Sequence, residues 1–125
     1  LRAMEIAAGA LINFAERHAE ALEQLETVEN EQVRKEELLK MAEICRRVPA
    51  KAHTTMNEAL QYYWFVHLGV ITELNPWDSF NPGRLDQHLL PFYRTDLDSG
   101  LLDKESAVEL LLSFWIKFNN HPSPP

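Results

Sequence analysis

With 125 residues, 46% of them hydrophobic and 25% charged, the chain has the size and composition of one soluble globular domain, which excludes a disordered segment. Its net charge of −7 and pI near 5.2 exclude nucleic acid and anionic membranes as main partners, because binding phosphate takes clustered Lys and Arg; cationic or neutral small molecules stay open. The single cysteine, Cys45, excludes a disulfide framework and a cysteine-based metal site within the chain, and fits a reducing cytoplasm.

From Ala3 to about Leu25, apolar residues recur as Met4, Ala7, Ala8, Leu11, Ala15, Leu22 and Leu25, with Ile12 and Phe14 beside them. That spacing predicts a long amphipathic helix. His18 has no second ligand at converging spacing and reads as a packed or solvent-facing side chain, while Glu16, Glu20 and Glu23 read as a solvated face. Thr27 or Asn30 can cap a second helix from about Glu31 to Arg47, with Glu29 and Glu31 at its positive end and Arg46 and Arg47 at its negative end. Leu38, Met41, Ala42 and Cys45 form its apolar stripe, so Cys45 reads as a small buried hydrophobe rather than a nucleophile.

Val48-Pro49 closes that helix, and Thr55 with Glu58 makes a capping box for a third, from Met56 to about Thr72. This helix is apolar almost all round and must be buried on most sides, with His67 as a core histidine. Its most apolar run, Ala59 to Ile71, is interrupted by Gln61 and His67 and is too short to span a bilayer; no secretory signal opens the chain, and a cytoplasmic location is expected.

The next stretch, Glu73 to His88, crowds polar, aromatic and turn residues between two apolar segments. Pro76 and Pro82 bracket Trp77, Asp78, Ser79 and Phe80, so the segment cannot be plain helix. An aromatic wall, a carboxylate and a hydroxyl on a proline-stiffened loop are what a pocket for a small polar molecule requires, and these four residues are the candidate substrate-binding set. The competing reading is a plain connection in which Asp78 and Ser79 satisfy local backbone donors. Asn81 as N-cap and Pro82 as first helical residue predict the start of a fourth helix, which buries Leu85, Leu89 and Phe92 and kinks at Pro91. Asp98-Ser-Gly100 is a turn, and Asp103 caps a fifth helix whose Val108, Leu111, Leu112, Trp115 and Ile116 face a core. The start at Leu1 and the ending His121-Pro-Ser-Pro-Pro125 read as one helical piece, residues 1–125, of something longer. No nucleotide, nucleophile-elbow or paired-histidine metal motif occurs.

The run Asn57-Glu-Ala-Leu-Gln-Tyr-Tyr-Trp-Phe-Val-His-Leu68 and the run Asn81-Pro-Gly-Arg-Leu-Asp-Gln-His-Leu-Leu-Pro-Phe-Tyr93 resemble the pyruvate formate-lyase-like domain of glycyl radical enzymes. Ala3 to Arg17, Ile44-Cys-Arg-Arg-Val-Pro49, Gly100 to Ala107 and Phe114-Trp-Ile-Lys-Phe118 fit the same family in the same order. The resemblance implies that this all-helical piece of about five helices belongs, in the complete protein, to a ten-stranded α/β barrel. It also implies an anaerobic lyase or dehydratase, or a formate acetyltransferase, in which a separate radical S-adenosylmethionine activating enzyme installs a glycyl radical. That radical raises a thiyl on a cysteine, which abstracts hydrogen from the substrate. By the resemblance both radical-carrying residues lie beyond residue 125, so the piece holds no catalytic residue, metal or cofactor and is inactive alone; Cys45 is not that cysteine.

Within the family the dehydratase branch fits best, with Trp77-Asp78-Ser79 similar to trans-4-hydroxyproline dehydratases, whereas the diol enzymes tend to carry Gly-His-Ser at about this place. The implied partners are a small-molecule substrate, the activase and a second copy in a homodimer. A non-catalytic helical interaction module derived from the family is the alternative.

Overall fold

The computed structural model describes residues 1–73 and 81–120. Five helices account for nearly all of it, in the order α1 (Arg2–Val28), α2 (Gln32–Arg47), α3 (Met56–Glu73), α4 (Leu85–Asp98) and α5 (Lys104–Asn120). No strand occurs among the described residues, and no helix is long and apolar enough to cross a membrane. The chain divides into two compact units, Leu1–His53 and Thr54–Pro125.

In the first unit α1 packs on α2. Ala15 and Ala19 of α1 and Leu38, Ala42 and Cys45 of α2 are buried, so Cys45 takes the packed place its helical spacing predicts. Met41, expected on the same stripe, is 43% exposed, and Met4, Phe14 and Leu25 of α1 also face outward. The α2 stripe is narrower than the sequence indicates, because alanines let the backbone come close and leave no room for larger neighbours.

Neither Thr27 nor Asn30 caps α2. Thr27 Oγ1 donates to Gln24 O at 2.7 Å, and the carboxylate of Glu29 accepts from the backbone N–H groups of Asn30 (2.7 Å) and Glu31 (3.1 Å). Those two bonds, first the one from Glu31, hold the Glu29 carboxyl below its ordinary pKa. Glu23 is not merely solvated: it takes a two-pronged pair from Arg46 at 2.9 and 2.7 Å, tying α1 to the last turn of α2.

The second unit has its core where α3, α4 and α5 meet. Met56, Ala59, Leu60 and Trp64 of α3, Leu89 of α4, and Ala107 and Phe114 of α5 are buried together, with Tyr63, Leu85, Phe92 and Phe118 half-buried against them. Each large apolar side chain buried here contributes about 1.5–3 kcal/mol. Trp64 meets Phe114 and Phe118 edge-on at centroid distances of 6.4 and 5.3 Å, the arrangement that ring quadrupoles favour.

The polar joints of this unit differ from the expected ones. Thr55 Oγ1 accepts from Glu58 N at 3.2 Å, as a capping box requires, but the Glu58 carboxylate reaches past Thr55 to Thr54, whose N–H and hydroxyl donate to it at 2.7 and 2.9 Å. The first N–H of α3, on Met56, is satisfied from another helix: it donates to Oδ2 of the buried Asp96 in α4 at 2.7 Å. The backbone carbonyl of Asp96 also accepts from Leu101 and Leu102 N–H at 2.9 and 3.1 Å, where Gly100, at φ +72°, turns the chain out of α4. Asp103 caps α5 as expected, accepting from Ser106 N at 2.7 Å, a bond that lowers its carboxyl pKa.

The face of α5 is turned from the expected one. Val108, Leu112, Trp115 and Ile116 are at least half exposed, whereas Ala107 and Phe114 are buried and Leu110, Leu111 and Phe118 pack beside them. Of the five residues assigned to the core by periodicity, Leu111 alone lies against it.

Candidate functional site

The candidate residues Trp77, Asp78, Ser79 and Phe80 lie outside the described residues, which give the two ends that hold them. On the near side α3 runs to Glu73, with Thr72 Oγ1 donating to Leu68 O at 2.6 Å and so closing the last turn on itself. On the far side the chain does not enter α4 at Pro82. Asn81 Oδ1 instead accepts from Gly83 N at 2.8 Å, an Asx-type turn, and Gly83 sits at φ +64°. A residue in that left-handed conformation cannot belong to a right-handed helix, so α4 starts later, with Arg84 as its N-cap and with Gln87 and His88 N–H donating to Arg84 O.

Arg84 and Asp86 are paired side by side, Nε to Oδ1 at 3.2 Å and the terminal nitrogen to Oδ2 at 3.1 Å. The pair holds the Asp86 carboxyl below its ordinary pKa and raises that of the Arg84 guanidinium. An ionised, already paired carboxylate is a poor general base; its chemical use is to present charge.

Next to this turn an open cleft of about 450 Å³ is lined by Asn81, Pro82, Gly83, Leu85, Asp86, Trp115 and Phe118. One wall is aromatic, from α5, and the other is the turn and the first residues of α4. Behind Phe118 stands a layer of stacked rings. His67, 4% exposed, has its ring 4.8 Å from Phe118, 5.3 Å from Trp64 and 5.8 Å from Tyr63. Burial raises the Tyr63 phenol pKa, and Lys117 Nζ lies 5.2 Å over the Trp64 ring. His67 is therefore a core histidine, as its place on the all-apolar helix indicates. His18 is local to α1, its Nδ1 2.8 Å from Phe14 O. Among the described residues no three His, Cys, Asp or Glu side chains converge as metal ligands.

Sequence reasoning places none of these described lining residues in the candidate set, Trp115 and Phe118 of α5 included. Periodicity sends Trp115 to the core, and a register anchored on Ala107 and Phe114 would instead have placed it one position round the helix, beside the turn.

The cleft thus sets a turn and the start of α4 against an aromatic wall from α5. The chain matches the pyruvate formate lyase-like family over residues 1–125 and belongs to that family. It is 51% identical over 125 residues to the trans-4-hydroxy-L-proline dehydratase of Clostridioides difficile, covering all of this chain and 16% of that protein. It is 39% identical over 116 residues to the isethionate sulfite-lyase of Oleidesulfovibrio alaskensis, covering 93% of this chain and 14% of that one. The crystal structure of the Clostridioides difficile hydroxyproline dehydratase with trans-4-hydroxy-L-proline bound superposes with a TM-score of 0.94, covering 98% of this chain and 16% of that chain. The chain thus spans only a small part of the length of the relatives that it matches.

Proposed function

We propose that residues 1–125 are the substrate-side helical part of a longer, cytoplasmic glycyl radical dehydratase acting on a small cationic or zwitterionic hydroxylated metabolite, with trans-4-hydroxy-L-proline as the substrate. The observation that carries this reading is the 51% identity along the entire chain to an enzyme of that activity, with the fold kept at a TM-score of 0.94. Within the complete barrel-forming polypeptide, a glycyl radical made by a radical S-adenosylmethionine activase takes a hydrogen atom from a cysteine thiol, and the resulting thiyl takes hydrogen from the substrate. The radical-bearing residues are supplied from outside this stretch, and the stretch by itself is inactive. Its own contribution is binding and orientation.

In this reading Trp77, Asp78, Ser79 and Phe80 line the substrate site. Asp78 offers a carboxylate to the ring ammonium of a proline-type substrate, Ser79 a hydroxyl, and Trp77 and Phe80 an apolar wall that excludes water and keeps the charge pair strong. The Asn81–Gly83 turn fixes where the segment ends, and α3 fixes where it begins.

A charge-assisted contact of this kind is worth about 1.5–3 kcal/mol, so Asp78→Ala in the complete, activated enzyme is expected to lower kcat/KM for trans-4-hydroxy-L-proline by about 10- to 150-fold. Asp78→Asn, which keeps an acceptor without the charge, should fall in between. Steady-state constants for both variants equal to those of the parent enzyme would remove Asp78 from the site.

A further inference from the structure

Asp96 is buried, and both its side chain and its backbone join helices. Its Oδ2 accepts from the Met56 N–H at 2.7 Å, while its carbonyl accepts from Ser99 Oγ, Leu101 N and Leu102 N at 3.1, 2.9 and 3.1 Å, where the chain leaves α4. Met56 opens α3 and Asp96 lies in the last turn of α4, so the two helices run antiparallel. The Asp96–Met56 bond closes one end of this pair, and the chain ends at Glu73 and Asn81 that hold the candidate residues lie at the other.

The direction of that bond sets what it can resist. The N–H groups of a first helical turn point along the helix axis, so an acceptor fixed on α4 opposes sliding of α3 along its own length. The core shared by Leu60 and Trp64 of α3 with Leu89 of α4 keeps the helices from separating, but packed helices still shear past one another by about 1–2 Å. Counted from the bond, α3 is about six residues longer than α4, roughly 9 Å of helical rise. A slide of that size is a sizeable part of this overhang.

We propose that Asp96 is a positioning residue: its hydrogen bond to Met56 N fixes how far α3 stands along α4, and so sets the spacing of the chain ends at Glu73 and Asn81. The consequence for substrate rests on the proposed site between those ends; the spacing itself does not.

Nitroxides carried at the exposed positions Thr72 and Gln87 by non-canonical amino acids, which leave cysteines unlabelled, report the spacing by pulsed electron double resonance in the complete polypeptide without activation. Asp96→Ala is expected to move the mean distance by at least about one residue's rise, 1.5 Å, and Asp96→Asn, which keeps an acceptor oxygen, to restore it. Asp96→Ser, whose hydroxyl is too short to reach Met56 N, takes the place of Asp96→Ala if that variant does not fold, with the same shift expected. An unchanged distance overturns the inference, and so does an equal shift in Asp96→Asn, because the hydrogen bond would then not set the register. Kinetics of the activated enzyme, compared at equal glycyl radical content, read the site separately. With the ends moved, kcat/KM for trans-4-hydroxy-L-proline is expected to fall by up to about 100-fold and to recover in Asp96→Asn. A moved distance with unchanged kcat/KM would contradict the proposed site and leave the register role of Asp96 standing.

Discussion

Asp96 shows how much of this fold hangs on one side chain. It is 4% exposed, its Oδ2 closes the first N–H of α3 from forty residues away in sequence, and its carbonyl closes the turn into α5. Truncation at this position leaves the Met56 N–H buried without its acceptor, at a cost of about 1–3 kcal/mol. Asp96→Ala is therefore expected to lower the free energy of unfolding by that amount in a urea titration, with Asp96→Asn recovering most of it by keeping an oxygen in place. Equal losses in the two variants would show that the hydrogen bond to Met56 is not what the residue supplies. No local pattern announces this role, since Asp96 lies in the last turn of α4, where an acidic residue is unfavourable to its own helix dipole. The reason for it is tertiary, and one sequence cannot display it. Gly83 is the opposite case: Asn-Pro-Gly marks a turn on sight, but which residue takes φ +64°, and so where α4 begins, is decided by the Asn81–Gly83 hydrogen bond.

At the scale of the elements, five helices were legible because each apolar period is bounded by a turn residue or a proline, and their ends fall within a few residues of the expected places. The face of α5 was not legible. Val108, Leu110, Leu111, Leu112, Phe114, Trp115, Ile116 and Phe118 put apolar groups on most sides of this helix, so the 3.6-residue period does not select one. The small Ala107 decides it, because it lets α5 come close to the other helices where Val108 would not.

The joint between α1 and α2 was legible only as charges. Glu23 and Arg46 form a two-pronged pair whose hydrogen bond lowers the Glu23 pKa in the folded chain. A carboxyl with a depressed folded pKa adds stability above its ordinary unfolded value and loses it as the pH falls through the folded one. The thermal midpoint is therefore expected to drop on acidification below the ordinary carboxylate range, and to drop less steeply in Glu23→Gln. Glu29, Asp86 and Asp103 are depressed as well and supply the acid loss that remains in that variant. An unchanged acid slope in Glu23→Gln would mean that the pair contributes nothing to holding α2 on α1.

At the scale of the whole molecule, the order of several long motifs carries more information than any single residue. The runs from Asn57 to Leu68 and from Asn81 to Tyr93 led to the family, and the match over residues 1–125 establishes it. The candidate segment Trp77–Phe80 lies outside the described residues, and the aromatic wall that α5 gives the neighbouring cleft was not legible, because Trp115 and Phe118 lie more than thirty residues further along the chain than Asn81. The proposed role of those elements in substrate binding is tested most directly by turnover by the complete polypeptide, anaerobically activated and offered trans-4-hydroxy-L-proline, glycerol, choline and isethionate separately. The account predicts loss of water from trans-4-hydroxy-L-proline with the highest kcat/KM of the four. Preferred turnover of glycerol, choline or isethionate would contradict it.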